Sequence, residues 1–342
     1  MRGAGPRSST HGRIAMPLRA CTLWVAAFGT ACELQEITVV DFVDVVVAEV
    51  YVTLRETTGE HTVHAFLHGT AAGGQPDSRT FDDALLRVMR GDGLALDLAV
   101  VPIEVCLQSQ PEGSTGTCFA ADAPAAAQLA PGDALDLEIT LGAGAGTALG
   151  SVTLPGDFAL SGIGAQCRLP ADTTLEVRWS RSDGAWAYVS ETLIEGLPAA
   201  LAPENIQAED SLHLLGLSVS ASDTTIVFPS EFGIFDRFDL DQDLAVRLQR
   251  GLPDQTNATV SIAAVERNYV NWVRGGNFNP SGLVRVSSLR GAATGTFGGV
   301  SVREFQVLSS TDPILSVLDC PWRRTPAGRP LPYSSGGSSG TT

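Results

Sequence analysis

The chain has 342 residues, of which 44% are hydrophobic and only 18% charged, with 36 Gly and 19 Pro; this is the balance of a turn-rich globular protein with room for two domains, not of a disordered one. The formal net charge is −16, all 22 basic residues are Arg, and the first four (Arg2, Arg7, Arg13, Arg19) stand in a stretch without acidic residues, so the rest of the chain is more acidic still. Such a surface excludes nucleic-acid binding by charge neutralisation, which needs clustered cations that release counterions, and it disfavours direct adsorption to anionic lipid.

The first predicted element is an export segment. "MPLRACTLWVAAFGTAC", from Met16 to Cys32, runs from a short basic start through an apolar stretch of about ten residues to small residues, the grammar of a secretory signal over 1–31. The apolar run is far short of the ~20 residues needed to span a bilayer. Gly29-Thr30-Ala31 before Cys32 resembles a bacterial lipoprotein signal, in which the cysteine is diacylated and becomes the first residue of the mature chain. Gly29 stands where Leu is usual, and the same three residues also suit an ordinary signal peptidase. Lipid attachment at Cys32 is the leading expectation and plain secretion the alternative. Glu33, not Asp, follows the cysteine, which by resemblance to known sorting points to the outer membrane.

Four cysteines remain besides Cys21 and Cys32: Cys106, Cys118, Cys167 and Cys320. An even number in an exported chain predicts two disulfides. Cys106 and Cys118 flank the turn-rich "LQSQPEGSTGT" between two strand-like runs, so they are expected to bridge, leaving Cys167 with Cys320 by elimination. No C-x-x-C spacing suggests a metal.

The body is dominated by alternation. In "ALDLEITL" Leu135, Leu137, Ile139 and Leu141 fall on one face and Asp136, Glu138 and Thr140 on the other, the period of a half-buried strand. "GAGAGT" turns the chain and "ALGSVTLPG" returns, so the stretch reads as a hairpin. Earlier strands are expected in "VVVAEVYVTL", "HTVHAFLHG", "DALLRVMRG" and "LALDLAVVPIEV". Together they predict an antiparallel β-sandwich within 32–160.

"LPGDFALSGIGAQCRLP" interrupts the pattern, and a second β-sandwich is expected over 161–312. In "TLEVRWSRSDGAWAYVSETL" Leu175, Val177 and Trp179 share a face before a turn and a return through Trp186, Tyr188 and Val189. Further strands are expected in "LHLLGLSVS", "TTIVF", "DLAVRLQR", "ATVSIAAV" and "GVSVREFQVL". One short helix stands near the end: in "AAVERNYVNWVRGGN" Val265, Tyr269, Trp272 and Val273 recur at helical spacing, with Arg267, Asn268, Asn271 and Arg274 opposite and Gly275-Gly276 as the stop. Residues 313–342, ending "GRPLPYSSGGSSGTT", predict a disordered tail. The expected fold is all-β: two tandem immunoglobulin- or fibronectin-like sandwiches.

Catalytic signals are weak. His61, His64 and His68 lie in a strand where His64 and His68 share a face ~13 Å apart and His61 points the other way, so they cannot converge on an ion held at ~2 Å. Asp236, Asp239, Asp241 and Asp243 lack the central Gly and terminal Glu of a calcium loop. The G-x-S-x-G match is "GGSSG" at 336–340, in the low-complexity tail and without a strand-turn-helix elbow. No cofactor motif is present. Trp186, Tyr188, Phe228, Phe235 and Phe278 are candidates for a sugar platform, against the more usual core role of such aromatics.

"APGDALDLEITLGAGAGTALGSVTLPGDF" and "VERNYVNWVRGGNFNPSGLVRVSSLRGAATGTFGG", behind a lipid-type cysteine, resemble the domain-of-unknown-function 4249 family of Gram-negative outer-membrane lipoproteins. The resemblance implies a non-enzymatic cell-envelope protein anchored to the outer membrane, encoded near a TonB-dependent transporter and acting with it. It supplies no catalytic residue. The alternative is a secreted adhesin-like or carbohydrate-binding protein without lipid.

Overall fold

The computed structural model describes residues 45–70, 79–107, 115–218, 220–231, 242–275, 286–313 and 316–321, all within the compact unit that begins at Val43. In the first half the alternating segments form β1 (Val46–Arg55), β2 (Glu60–Gly69), β3 (Leu85–Arg90), β4 (Ala95–Val101), β5 (Thr117–Ala121), the single turn α1 (Ala123–Ala126), and the hairpin β6 (Ala134–Leu141) and β7 (Gly146–Thr153). The second half contains β8 (Gln166–Leu169), β9 (Leu175–Arg178), β10 (Ala187–Glu195), α2 (Leu197–Leu201), β11 (Leu212–Leu217), β12 (Thr225–Phe228), α3 (Gln242–Leu248), β13 (Asn257–Val265), α4 (Arg267–Gly275), β14 (Leu289–Gly291) and β15 (Ala293–Ser309). The protein is all-β in class.

One hydrogen-bonded sheet runs through both halves in the order β11-β10-β13-β15-β1-β2-β5-β4-β3-β6-β7-β14, with β8 also on β15 and β12 paired to β9 apart from it. Its pivot is β15. This 17-residue strand lies parallel to β1, from Val46 opposite Ala293 to Arg55 opposite Val302, and antiparallel to β13. The sheet is therefore mixed, not the purely antiparallel arrangement expected of the first half. At the β1 contact Gly295 has φ +134°, and a Cβ there would lie 2.0 Å from the Ala48 carbonyl oxygen, so only glycine lets the strands approach.

Two cores result. The first gathers Val50, Val52 and Leu54 from β1, Val63, Ala65 and Leu67 from β2, and the leucines of β6, and it is completed from the far end of the chain by Leu289, Ala293 and Phe297. The second surrounds Tyr188, Trp179, Phe228 and Phe305. Trp179 and Phe158 meet the Tyr188 ring edge-on, and the Tyr188 hydroxyl accepts the Ser182 amide at 2.8 Å, so the buried phenol keeps a partner. Full burial of each such side chain contributes about 1.5–3 kcal/mol.

"DLAVRLQR" is a helix, not the strand expected. Leu244 and Leu248 are four apart, which is one face of a helix, and both reach the second core. Arg247, on the same helix and 7% exposed, donates to Glu204 at 2.8 Å and to Asp172 at 2.6 Å. Burial opposes its charge, but the hydrogen bonds to Glu204 and Asp172 outweigh that and hold its pKa above the ordinary value.

The terminal helix also departs from its reading. Val265 belongs to β13, Val273 is exposed, and Val270 and Trp272 are buried. Asn268, assigned to the outer side, turns inward: its amide nitrogen donates to the carbonyls of Ser151 on β7 and Phe297 on β15, both at 3.0 Å. The reason is the edge of β15. Before Val300, where β13 begins to pair, residues 295–299 have β1 on one side only, and side chains together with the Ser288 and Glu266 amides serve as the other partner. Ser287 Oγ accepts the Gly295 amide, Ser288 Oγ the Phe297 amide and Glu266 Oε1 the Gly299 amide. An exposed strand edge is thereby closed.

Cys106 pairs with Cys118 and Cys167 with Cys320. Residues 316–321 fall in the stretch read as tail, yet Asp319 bridges to Arg168 and Cys320 is buried. Residues 322–342 lie outside the described residues, as do Cys32 and residues 1–31, the stretch expected to be an export segment.

Candidate binding groove

The outward side chains of β1, β2, β10, β11, β13 and β15 line a concave groove of about 590 Å³. Its construction follows from alternation: in β1 the core takes Val50, Val52 and Leu54, so Tyr51, Thr53 and Arg55 face outward. The register then sets cross-strand rows. Glu304 of β15 stands opposite Ser261 of β13, which stands opposite Glu191 of β10; His64 of β2 stands opposite Tyr51. Six strands are brought together by the parallel pairing of β1 with β15, and α4 closes one side with Tyr269.

Within the groove Arg55 pairs with Glu304 at 3.3 Å, and Ser261 Oγ donates to the same carboxylate at 3.1 Å. Glu191 is exposed. Tyr51 and Tyr269 meet edge to face with ring centroids 5.6 Å apart. Two positions before Tyr51 on the same strand face, Glu49 accepts from Trp272 Nε1 at 2.9 Å. Burial, and then the negative charges of Glu191 and Glu49, raise the pKa of the Tyr269 phenol. Burial lowers that of His64, so its ring is neutral at pH 7. At the head of α4, burial raises the pKa of Glu266 against the backbone N–H groups of Asn268, Tyr269 and Gly299, which favour its charge. This carboxylate caps the helix and fixes Tyr269 over the groove. The Ser261 hydroxyl is committed to a carboxylate that Arg55 holds, an arrangement suited to positioning hydrogen-bonding groups for a ligand.

A second, shallower depression of about 340 Å³ is lined by Asp136, Ser151, Trp186, Arg267 and Asn268. Trp186 is 47% exposed, and the Arg267 guanidinium lies 5.1 Å from its ring centroid.

The residues singled out by sequence scatter. His64 and His213 line the groove, the His68 ring stacks on Phe66, and His61 Nε2 lies 3.6 Å from Glu56. Of the five aromatics considered for a sugar platform, Tyr188 and Phe228 are fully buried, Trp186 is exposed, and Phe235 and Phe278 lie outside the described residues. So do Asp236, Asp239 and Asp241, whereas Asp243 sits in the first turn of α3. Cys106 lies at the groove and Cys118 is buried on β5, opposite Phe66 of β2. Sequence reasoning missed Tyr51, Arg55, Glu191, Ser261 and Glu304; the signal for each was its outward place in an alternating strand. Among the described residues no helix is long and apolar enough to cross a membrane.

Comparison with known proteins returned no match, neither to a family model nor to a curated protein. The likeness to the domain-of-unknown-function 4249 lipoproteins thus rests on sequence motifs alone.

Proposed function

We propose that the protein is a non-enzymatic binding protein of the bacterial cell envelope, held at the outer membrane by a lipid on Cys32, with the groove as the face that takes its partner. The observation that carries the binding role is the groove: its strands present Tyr51, Arg55, Glu191 and Glu304, and α4 presents Tyr269, on one concave surface. The anchor is supported by the export segment ending at Cys32, and an oxidising compartment by the pairing of all four remaining cysteines. A TonB-dependent transporter at the same membrane is the partner that the family resemblance supplies. Metabolic labelling with a fatty-acid analogue tests the anchor: the full chain takes up label and Cys32→Ala does not. An unlabelled wild-type chain would overturn it.

A second reading, a secreted carbohydrate-binding protein, draws on Trp186, whose exposed ring borders Asp136 and Asn268 in the shallower depression. It requires retention on a glycan array that Trp186→Ala abolishes.

A further inference from the structure

The groove's charge and its aromatic pair together specify a kind of ligand. Among the described residues the lining holds two carboxylates, Glu191 and Glu304, and one guanidinium, Arg55, which already faces Glu304, while burial holds the pKa of His64 below its ordinary value. The surplus is negative. The Tyr51–Tyr269 pair lines the same groove as Glu191, and aromatic rings attract cations through their negative faces. An anion meets repulsion here and across a chain of net charge −16. An apolar ligand would strip water from Glu191 without replacing its hydrogen bonds.

Size separates a small amine from a longer ligand. The lining runs from His213 on β11 to His64 on β2, so it crosses six adjacent strands, about 24 Å at the usual strand spacing. That is the length of roughly seven residues of extended chain.

We propose that the groove binds a basic, extended peptide segment of a protein partner, with an Arg or Lys side chain seated against Tyr51 and Tyr269 and its charge matched by Glu191. The proposal rests on the reading of this face as the partner-binding surface, and names what that surface recognises. Positive charge on the partner accelerates encounter with so acidic a chain, and the tyrosine pair then selects the cation by contact.

The test is calorimetric titration of the full chain with a Gly-Arg repeat peptide, a Gly-Glu repeat peptide, choline and maltohexaose, at low and high salt. The Arg peptide is expected to bind, more weakly as salt rises, and the Glu peptide not to bind. Glu191→Gln, at an exposed position, is expected to weaken the Arg peptide about fivefold, and Tyr269→Leu by a similar factor. If Tyr269→Leu fails to fold, Glu191→Gln alone decides. Full-strength binding to Glu191→Gln would overturn the placement. Choline binding as tightly as the Arg peptide would replace the peptide with a small ammonium ligand and overturn the proposal. Maltohexaose shifting the amide signals of Thr259 and Ser261, with the Arg peptide silent, would overturn the cation and leave the groove reading intact. Silence from every probe would overturn the proposal while the lipid-labelling result stands by itself.

Discussion

The two large cores draw on strands to different degrees, the first taking Phe81, Ala84, Ala126, Leu129 and Leu154 from outside them and the second taking more. In the first, every buried side chain supplied by β1, β2, β3, β4 and β6 occupies an alternating position, so the strand period alone aims it inward. The second draws Leu197, Leu201, Leu244 and Leu248 from short helices, and Phe158 and Leu252 from chain between elements. Segments of that kind have no ladder to hold them. The second half holds them with long-range links instead: a disulfide between residues 153 apart in sequence, Arg247 joining α3 to Asp172 and Glu204, and Arg168 joining β8 to Asp319. Where periodicity stops organising a core, covalent and ionic ties take over.

The largest expected effect that breaks this comparison comes from the two disulfides. The Cys167–Cys320 bridge closes a far longer loop than Cys106–Cys118, at a separation of 153 against 12. Loop-closure entropy gives about 5 kcal/mol for the first and about 3 kcal/mol for the second. Urea unfolding of the two double alanine variants measures both. If Cys106→Ala/Cys118→Ala loses more, the second core does not depend on its cross-link more than the first.

A smaller contrast compares arginines. Arg247→Met removes a nearly buried guanidinium that joins three segments and is expected to cost about 2 kcal/mol, since Glu204 and Asp172 can return to water while the lost hydrogen bonds are not replaced. Arg87 in the first half pairs with Asp97 with both side chains more than half exposed, and Arg87→Met should leave stability essentially unchanged. Equal losses in chemical denaturation would erase the distinction. Asn268→Ala comes next, at about 1 kcal/mol for two hydrogen bonds to main-chain carbonyls on the part-exposed seam. Hydrogen exchange should quicken at Phe297 and Gly299 and stay unchanged in β3; uniform change would mean that Asn268 is not a local staple.

These contrasts also mark what the sequence made legible. "ALDLEITL" and "VVVAEVYVTL" carry their faces openly, and the four cysteines follow from count and loop. The parallel contact of β1 with β15 is invisible locally, because it joins segments about 250 residues apart and leaves no short-range pattern. Since the groove exists only through that contact, Tyr51, Glu191 and Glu304 were recognisable as outward residues and not as neighbours. Asn268 and "DLAVRLQR" were misread for a related reason. A polar residue that bonds to a strand edge is, in sequence, the same as one facing water, and Leu244 and Leu248 fit a strand's even spacing as well as a helix's four.

The smallest effect concerns pH and sets the groove's rim against its foundation. His64 has its pKa lowered by burial, so as pH falls below the ordinary 6.5 the unfolded chain takes the proton first and stability is lost. Glu266 has its pKa raised by burial above the ordinary 4.5, so the folded chain takes the proton first and stability is gained as pH falls through the raised value. The two slopes oppose one another, and the wild-type profile alone conceals both. Unfolding free energies across pH 4 to 7.5 for wild type, His64→Gln and Glu266→Gln separate them. His64→Gln should gain on wild type as pH falls below 6.5. Glu266→Gln should lose on wild type as pH falls toward 4.5, because only the wild-type chain has a buried charge to neutralise. Parallel profiles for all three would show that neither side chain is desolvated by its place beside α4 and β1, and that the groove is more open to water than its geometry implies.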